Sequence, residues 1–593
     1  MVTVQTIPSP PSVRLLQRNW RWRDSVAAVF LFLATGGIIL WQNAHLVVLW
    51  DFSYVLETAG RIVNGQMPYR DFPLVHAPLT FLIQAAILRL TGRAFFHHVL
   101  YAALVGGLST VLAWRIGFNV VRRRVAAPWG VAAALAAPLI VLGIYCILPL
   151  PNYDCDCGFA LLIAIWLLQK IERQPSLALG IAAGLAICVP VFFKQNMGLP
   201  FLAAAVGAVV WLLGIRVIWG KQPHQPRNET AALLGVLAGS AAALAATALA
   251  LHFTMGIRNS LHWTIQFAAQ RRLPGVSDML GIYREPNLLW MLPGVGIGFL
   301  FWRRWAVRSR WARVAAFALF AAPFVFTLGS LLLYEDADER AEGLLALWPL
   351  LLTLALVVAV TKLVRAGRQA GLRELLPFVL LAAIHGTLLS QQLWGSTYAI
   401  WPLLLLLVAE LAVWLAETRP ADSPSRLRFF PTQVAVLVAV TFLVCGQSYM
   451  SSEERLSYAQ FPDGPAMHSA FPQLAGMATP GPYLPEFDEL LRYAETNIPW
   501  NDGIVLTPGE DPFYFVTGRV PQFPVLLFDP ATDPYSPAEL AQLVQTRGIH
   551  WLIVKRDLQI VADPTPDRDE VMKALLPEFA PAAHLRGYDI YRR

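Results

Sequence analysis

Four charged residues stand where long apolar stretches of the sequence begin or end. Asp51 follows the first apolar stretch, Asp154 and Asp156 open a later one, and Lys194 closes another. A partly desolvated carboxylate can take a proton from a hydroxyl group, and an ammonium can hold a phosphate. The aspartate pair could also bind an acceptor hydroxyl or a divalent metal such as Mg²⁺ or Mn²⁺. The ordinary alternatives are helix-capping or solvated aspartates and a lysine that extends to the water interface.

The segments that connect the predicted helices on the same side of the membrane carry further polar groups. The first, from about residue 42 to 96, is long, and its apolar segment Pro78–Leu90 is too short to cross a bilayer. We predict a helix at the membrane interface for that segment. Arg258 lies in a later connection, and Arg340 lies in the acidic run YEDADERAEG, where a local ion pair is the alternative. Together these groups predict a cavity suited to a negatively charged lipid-phosphate substrate.

The composition points to a chain embedded in lipid. Of the 593 residues, 56% are hydrophobic and 14% are charged, whereas soluble proteins carry about 25% charged residues. This excludes an ordinary soluble enzyme and a disordered protein. The chain has five cysteines, an odd number, and most of them fall within apolar runs. This excludes a disulfide scaffold.

The apolar stretches recur up to residue 450 and then stop. A membrane-spanning helix needs about 20 residues, and the sequence predicts a polytopic α-helical membrane protein with about thirteen such helices. They lie near residues 26–46, 97–117, 127–148, 158–169, 177–193, 197–214, 231–254, 287–302, 314–333, 343–361, 376–393, 398–415 and 432–450.

The basic residues predict an orientation. With the N-terminus inside, 25 of the 46 Lys and Arg residues fall on inner connections, 10 on outer ones and 11 within residues 451–593. Inner loops of membrane proteins are enriched in Lys and Arg. We therefore expect a cytoplasmic N-terminus in a bacterial inner membrane, and we interpret the net charge of +7 as an orientation signal and not as a nucleic-acid site.

Residues 451–593 differ in composition from the rest of the chain. Short apolar runs alternate with turns rich in Pro and Asp, and we predict strands at Ile504–Leu506, Val525–Phe528 and Trp551–Lys555. Helices are expected at Asp488–Asn497 and Ala538–Thr546. The prediction is a transmembrane domain over residues 1–450 and a small extracytoplasmic (periplasmic) α/β domain over residues 451–593.

Several motifs resemble a known family. Trp50-Asp51 and GQMPYRDFPLVHAPL (Gly65–Leu79) resemble the bacterial membrane glycosyltransferases of the GT-C superfamily. The resemblance is to the family 39 group in particular, which includes protein O-mannosyltransferases and the aminoarabinose transferase of lipid A. LPNYDCD (Leu150–Asp156), FKQN (Phe193–Asn196) and DPFYFVTGRVPQF (Asp511–Phe523) also resemble that group. The resemblance covers essentially the whole chain.

The resemblance implies a GT-C fold and an inverting transfer from a polyprenyl-phosphate sugar donor. Asp51 would act as the general base or orient the acceptor, and Asp154 or Asp156 would be the acid of the second outer loop. The donor phosphate would be stabilised by Lys194, Arg70 and Arg258 or Arg340, and the site would be lined by Tyr69, Asp71 and His76.

Some features depart from the family pattern and leave alternatives open. The O-mannosyltransferases carry an Asp-Glu pair where Asp51 is followed here by Phe52, and the WWDYG signature of oligosaccharyltransferases is absent from residues 451–593. The sugar and the metal dependence stay open. The acceptor also stays open, and the alternatives are lipopolysaccharide, a glycan, a glycolipid and a protein. The alternative functions are a transporter or flippase of lipid-linked sugars and a non-catalytic assembly or sensor protein.

Overall fold

The computed structural model describes most of the chain. The described residues are 22–45, 47–219, 228–272, 275–333, 346–389, 398–419, 425–450, 464–528, 532–557, 559 and 566–593.

Most apolar stretches among the described residues before 451 are helical, whereas the apolar run at residues 143–150 forms turns and bends. A helix satisfies its own backbone polar groups, which lipid cannot do. The helices are α1 (Trp22–Asn43), α2 (Leu49–Val63), α3 (Leu79–Thr91), α4 (Phe95–Val121), α5 (Pro128–Ala136), α6 (Leu139–Leu142), α7 (Tyr153–Arg173), α8 (Leu177–Phe193), α9 (Gln195–Trp219), α10 (Glu229–Phe253), α11 (Ile257–Leu261), α12 (Ala268–Arg272), α13 (Val276–Met279), α14 (Leu288–Arg304), α15 (Arg310–Leu333), α16 (Leu347–Ala366), α17 (Leu372–Thr387), α18 (Trp401–Glu417) and α19 (Phe430–Met450).

Each of the thirteen predicted stretches contains helix. Within the described residues, seven helices are long and apolar enough to cross a membrane: α1, α4, α9, α10, α15, α16 and α19. The chain is a multi-pass membrane protein, and thirteen as the number of spans stays a prediction.

The long first connection folds into two helices, α2 and α3, which pack against each other. The segment predicted as a short helix is α3, and its place at the membrane interface stays a prediction. One side of α3 is buried against the rest of the protein at Phe81, Gln84 and Leu88, whereas Leu90 is exposed.

The chain after residue 463 forms a compact α/β unit, which we call the C-terminal unit. Its helices are α20 (Tyr483–Asn497), α21 (Phe513–Thr517), α22 (Pro537–Thr546) and α23 (Pro566–Leu575). Its strands are β1 (Ala466–Met467), β2 (Thr479–Pro480), β3 (Gly503–Thr507), β4 (Ile549–Lys555), β5 (Ala580–His584) and β6 (Tyr588–Arg592). The main sheet has the order β3-β4-β6-β5, with β3 parallel to β4 and the other pairs antiparallel.

One predicted strand of this unit is wrong. Val525–Phe528 is irregular backbone, and the amide of Phe528 makes a single bond to the carbonyl of Pro508 (3.0 Å). Pro521 and Pro524 lack the N–H groups that a strand ladder needs. The two other predicted strands and both predicted helices are present.

The two faces of the main sheet pack differently. Ile504, Trp551 and Ile590 belong to the same hydrophobic core as the helices that precede the unit. Val505 and Leu552 point the other way, into a smaller core closed by α22 and α23. Successive residues of a strand face opposite sides, so this sheet joins the C-terminal unit to the helical part through a shared core.

Candidate functional site

Lys194 occupies a one-residue break between two helices. α8 ends at Phe193, Lys194 is extended (φ −146°, ψ 110°), and α9 begins at Gln195. The chain reverses direction there, which places the lysine at the ends of two apolar helices. The side chain is buried, and its Nζ forms an ion pair with Oδ1 of Asp154.

Asp154 lies in the first turn of α7. The side chain of Asn152 caps this helix by accepting the amide of Asp154 (2.7 Å). A carboxylate is favoured at a helix N-terminus by the helix dipole, and Asp154 is also buried. The structure therefore joins two of the predicted site residues, which are far apart in the sequence, in one buried pair.

Tyr153 connects this ion pair to the first connection. Lys194 Nζ lies 5.4 Å from the centre of the Tyr153 ring, and His76 stacks on the same ring with 4.0 Å between centres. The hydroxyl of Tyr54 on α2 hydrogen-bonds with Nδ1 of His76 (3.1 Å). The predicted lining residue His76 thus lies between α2 and the Lys194–Asp154 pair.

Asp51 lies one turn before Tyr54 on α2 and is half-buried. Residues three apart on a helix are neighbours on its surface, with about 5–6 Å between their Cβ atoms. The first turn of α2 therefore brings Asp51 to the side of the helix from which Tyr54 reaches His76. Asp51, His76, Asp154 and Lys194 define what we call the carboxylate site.

Tyr69 fixes the loop that carries His76. Its hydroxyl donates to the backbone carbonyl of His76 (2.7 Å), and its backbone is left-handed (φ 66°), a conformation that costs free energy in any residue other than glycine. Tyr69 is buried, which raises the pKa of its hydroxyl. The residue predicted to line the site thus acts through the position of His76.

Asp156 has a different environment from Asp154. Its Oδ2 accepts the hydroxyl of Thr80 (2.7 Å), and its Oδ1 accepts those of Tyr101 (2.8 Å) and Tyr145 (2.6 Å). The residue is fully buried. Its carboxylate therefore ties together α3, α4, α7 and the segment before α7.

Gln195 links a further connection to the site. Its Nε2 donates to the carbonyls of Val75 (3.1 Å) and Thr264 (2.9 Å). Thr264 belongs to a π-helical segment, His262–Phe267, which follows α11 directly. Arg258 is exposed on α11, so the predicted phosphate-binding arginine lies on the helix directly before the segment that contacts Gln195, the residue beside Lys194.

Arg70 and Asp71 pair with each other in an exposed turn. Nε and Nη2 of Arg70 donate to the two carboxylate oxygens of Asp71, each at 2.9 Å, and the hydrogen bond lowers the pKa of Asp71. Asp71 also accepts the amide of Met67 (2.7 Å). The roles predicted for these two residues stay predictions, and Arg340 lies outside the described residues.

The described side chains do not fit a bound divalent cation. Within the described ranges, no three His, Cys, Asp or Glu side chains gather at one point. Mg²⁺ is usually held by one or two free carboxylates, with waters and substrate phosphates as its other ligands. Asp156 already accepts three hydroxyls, and Asp154 faces the ammonium of Lys194.

Four tyrosines in and around the site were missed by the sequence analysis, which named only Tyr69. Tyr54 and Tyr153 hold His76, and Tyr101 and Tyr145 hold Asp156. Tyr54 lies one turn after Asp51 and Tyr153 lies beside Asp154, which is the signal that could have found them. Tyr101 and Tyr145 carry no such signal.

Comparisons with solved structures return ArnT and archaeal oligosaccharyltransferase structures. ArnT from Cupriavidus metallidurans bound to undecaprenyl phosphate matches with a TM-score of 0.47 and 13% identity, over 95% of this chain and 97% of that one. Archaeal oligosaccharyltransferase AglB from Archaeoglobus fulgidus, in complex with an inhibitory peptide and a dolichol-phosphate, matches with a TM-score of 0.45 and 12% identity, over 90% and 69% of the two chains. The Archaeoglobus fulgidus oligosaccharyltransferase in complex with Zn and sulfate matches with a TM-score of 0.47 and 11% identity, over 90% and 67%.

No protein-family model and no curated protein sequence matches the chain.

Proposed function

We propose that the chain is an inverting glycosyltransferase that moves a sugar from a polyprenyl-phosphate donor to an envelope acceptor. The observation that carries this proposal is the buried Lys194–Asp154 ion pair at the ends of apolar helices. Buried charges in a membrane protein are costly and mark functional sites. A lipid-anchored phosphate would reach such a site from the bilayer, and Lys194 would stabilise its charge.

The proposed reaction is a single displacement. The acceptor hydroxyl oxygen attacks the anomeric carbon, the bond between that carbon and the phosphate oxygen breaks, and polyprenyl phosphate leaves with the electron pair. Asp51 takes the proton of the acceptor hydroxyl. Lys194 stabilises the negative charge that develops on the departing phosphate, and attack from the opposite face inverts the anomeric centre.

The other residues of the carboxylate site position these groups. Asp154 holds the Lys194 ammonium, and His76 with Tyr54 holds the ring of Tyr153 against it. Arg258 and Arg340 are proposed to provide further positive charge for the donor phosphate. Arg70 and Asp71 would contribute as a pair at the rim of the site.

The proposed location is a bacterial inner membrane, with a cytoplasmic N-terminus and an extracytoplasmic C-terminal unit. The support is the distribution of Lys and Arg, 25 on one set of connections and 10 on the other. The acceptor would then be an envelope lipopolysaccharide, glycan, glycolipid or protein.

The test uses the purified chain with material from a strain that lacks it. A lipid extract and an envelope fraction of that strain supply the donor and the acceptor, and mass spectrometry measures the sugar transferred. We expect transfer by the wild type and a loss of about 100-fold or more in Asp51→Asn and in Lys194→Met. Asp278→Asn, which changes an exposed aspartate of α13, is the matched control and should retain activity.

Two outcomes would contradict the proposal. Full activity of Asp51→Asn would show that Asp51 is not the general base. Movement of lipid-linked sugar across vesicle membranes without a covalent product would favour a flippase.

A further inference from the structure

The end of the helices opposite the carboxylate site contains a basic cavity. α4 and α7 both begin beside the carboxylate site, where Tyr101 contacts Asp156, and both end together, where Arg173 donates to Asn119 (2.8 Å). A helix rises about 1.5 Å per residue, so the end of α4 lies about 30 Å from Tyr101. A cavity of about 780 Å³ opens there.

Three segments of the chain meet around this cavity, which we call the arginine cavity. They are the connection between α4 and α5, the end of α18, and the beginning of α19 with the turn before it. The hydroxyl of Thr432 donates to the carbonyl of Ala126 (2.8 Å) and ties the first segment to the third. The cavity is lined by five arginines: Arg122, Arg123, Arg124, Arg419 and Arg428.

Within the described part of the chain, the five arginines of the cavity face two acidic side chains, Glu417 and Glu172. Arg124 forms a long ion pair with Glu417 (3.5 Å), a residue that also pairs with Arg373 (3.6 Å). Burial and the neighbouring Arg123 lower the pKa of Arg122. Arginines spread along inner loops would serve orientation alone, whereas their convergence on one cavity creates a positive potential that attracts an anion.

The surroundings of the cavity match the boundary between lipid and water. Phe429, which lines the cavity, is 51% exposed, and Trp311 at the start of the nearby helix α15 is 72% exposed. Exposed aromatic residues at helix ends are typical of the membrane interface. An anion that reaches the cavity beside Phe429 can therefore carry acyl chains.

We propose that the arginine cavity binds the phosphate-bearing headgroup of an anionic phospholipid, whose acyl chains lie beside Phe429. The guanidinium groups hold the phosphate oxygens through charge-assisted hydrogen bonds. A basic pocket between membrane helices is a recognised form of lipid-headgroup site. This site is separate from the carboxylate site, and it does not depend on the proposed transferase activity.

The test measures lipid binding to the purified full chain in detergent by native mass spectrometry. The probe is dioleoylphosphatidylglycerol, which carries a phosphate with one negative charge. We expect saturable binding, and we expect the triple variant Arg123→Gln, Arg419→Gln, Arg428→Gln to bind it at least about tenfold more weakly.

The matched control removes the same charge from the same end of the protein. Arg303, Arg304 and Arg308 are exposed in and after the end of α14 and do not line the cavity. Their triple change to Gln should alter the affinity by less than about twofold. An equal loss in both triple variants would overturn the proposal, because it would show a diffuse surface charge and not a site.

Two further probes identify the source of the phosphate. Dioleoylphosphatidylcholine has the same chains without net charge, and equal binding of it would overturn the role of the arginines. Glycerol 3-phosphate has the headgroup chemistry without chains, and binding as tight as that of the lipid would overturn the lipid assignment. The single variant Arg428→Gln changes an exposed side chain, so the fold should persist; an unchanged affinity in this variant would also count against the site.

Discussion

At the scale of single residues, the fold gives two neighbouring carboxylates opposite roles. Asp154 faces the ammonium of Lys194, a group that can exchange partners with a bound phosphate. Asp156 accepts three hydroxyls from three different parts of the chain, which leaves little capacity for another ligand. Asp154 is therefore the member of the pair suited to the proposed reaction, and Asp156 holds the elements that surround it.

Replacing Asp156 should destabilise the protein. In Asp156→Ala the buried hydroxyls of Thr80, Tyr101 and Tyr145 lose their acceptor, and we expect a loss of about 3 kcal/mol in the free energy of unfolding. Thermal melting in detergent measures it, with exposed Asp278→Ala as the control. A variant that melts with the wild type would contradict the structural role of Asp156.

Glu57 makes the stability of the protein depend on pH. Its Oε1 accepts the backbone amides of Tyr514 (2.7 Å) and Phe515 (3.1 Å), and burial raises its pKa from 4.5 to about 8. Between pH 4.5 and about pH 8, the Glu57 carboxyl group keeps its proton in the folded chain and loses it in the unfolded chain. Stability should therefore decrease as the pH rises across this range, by about 1.4 kcal/mol per pH unit.

The comparison of wild type with Glu57→Gln tests this dependence. The glutamine keeps an oxygen for the two amides and does not titrate. As the pH rises from about 5 to about 8, the melting temperature should fall more steeply for the wild type than for Glu57→Gln. Parallel plots of melting temperature against pH would show that Glu57 is not the cause.

At the scale of elements, α8 is the helix that positions Lys194, and α10 holds α8 in place. Both helices carry glycines four residues apart, Gly180 and Gly184 on α8 and Gly235 and Gly239 on α10. A Cβ atom at Gly184 would overlap the carbonyl oxygen of Val236. Small residues at this spacing allow close backbone approach between membrane helices, and here they bring the two helices together side by side and parallel.

A larger side chain at the contact between α8 and α10 should displace Lys194. We expect Gly184→Val to destabilise the protein by about 1–3 kcal/mol and to lower transfer activity, because α8 ends at the site. Gly207→Val is the control, since Gly207 on α9 is exposed and has open space around it. Equal effects of the two variants on melting and on activity would contradict the role of the helix contact.

At the scale of the whole molecule, the C-terminal unit holds the helix that carries Asp51. Gln559 accepts the amide of Leu49 (2.7 Å) and donates to the carbonyl of Val47 (2.5 Å). Ser53 donates to the carbonyls of Gly509 and Asp511. These bonds run along α2 from its first residue, so the position of Asp51 depends on the fold of residues at the other end of the sequence.

A buried lysine supports this contact from within the C-terminal unit. Lys555 Nζ lies 2.5 Å from Oε1 of Glu510 and 2.9 Å from Oδ1 of Asp511, and Glu510 also accepts the amide of Gln559 (3.0 Å). Lys555→Met would leave two buried carboxylates without their cation, at a cost of about 3–5 kcal/mol. Limited proteolysis should cut the variant faster within residues 464–593 and transfer activity should fall, while exposed Lys573→Met should behave as the wild type.

The sequence predicted well whatever depends on a short stretch of chain. The apolar helices, the helices at Asp488–Asn497 and Ala538–Thr546, and the charged residues at helix ends follow from neighbours within a few turns. The strand prediction at Val525–Phe528 was wrong because its apolar run favoured a strand, whereas the prolines around it lack the N–H groups that a strand ladder needs. Tyr101, Tyr145 and Gln559 were missed because their partners are distant in sequence.

The sequence by itself determined that the chain crosses a membrane, because apolarity over about 20 residues decides the transfer of a helix into lipid one helix at a time. Only the tertiary structure decided which charges meet. Lys194 could pair with any acid at the same end of the bundle, and packing of α7 against α8 selects Asp154. A buried charge is stabilised by the groups that surround it in space, and that set is fixed by helix packing and not by spacing along the chain.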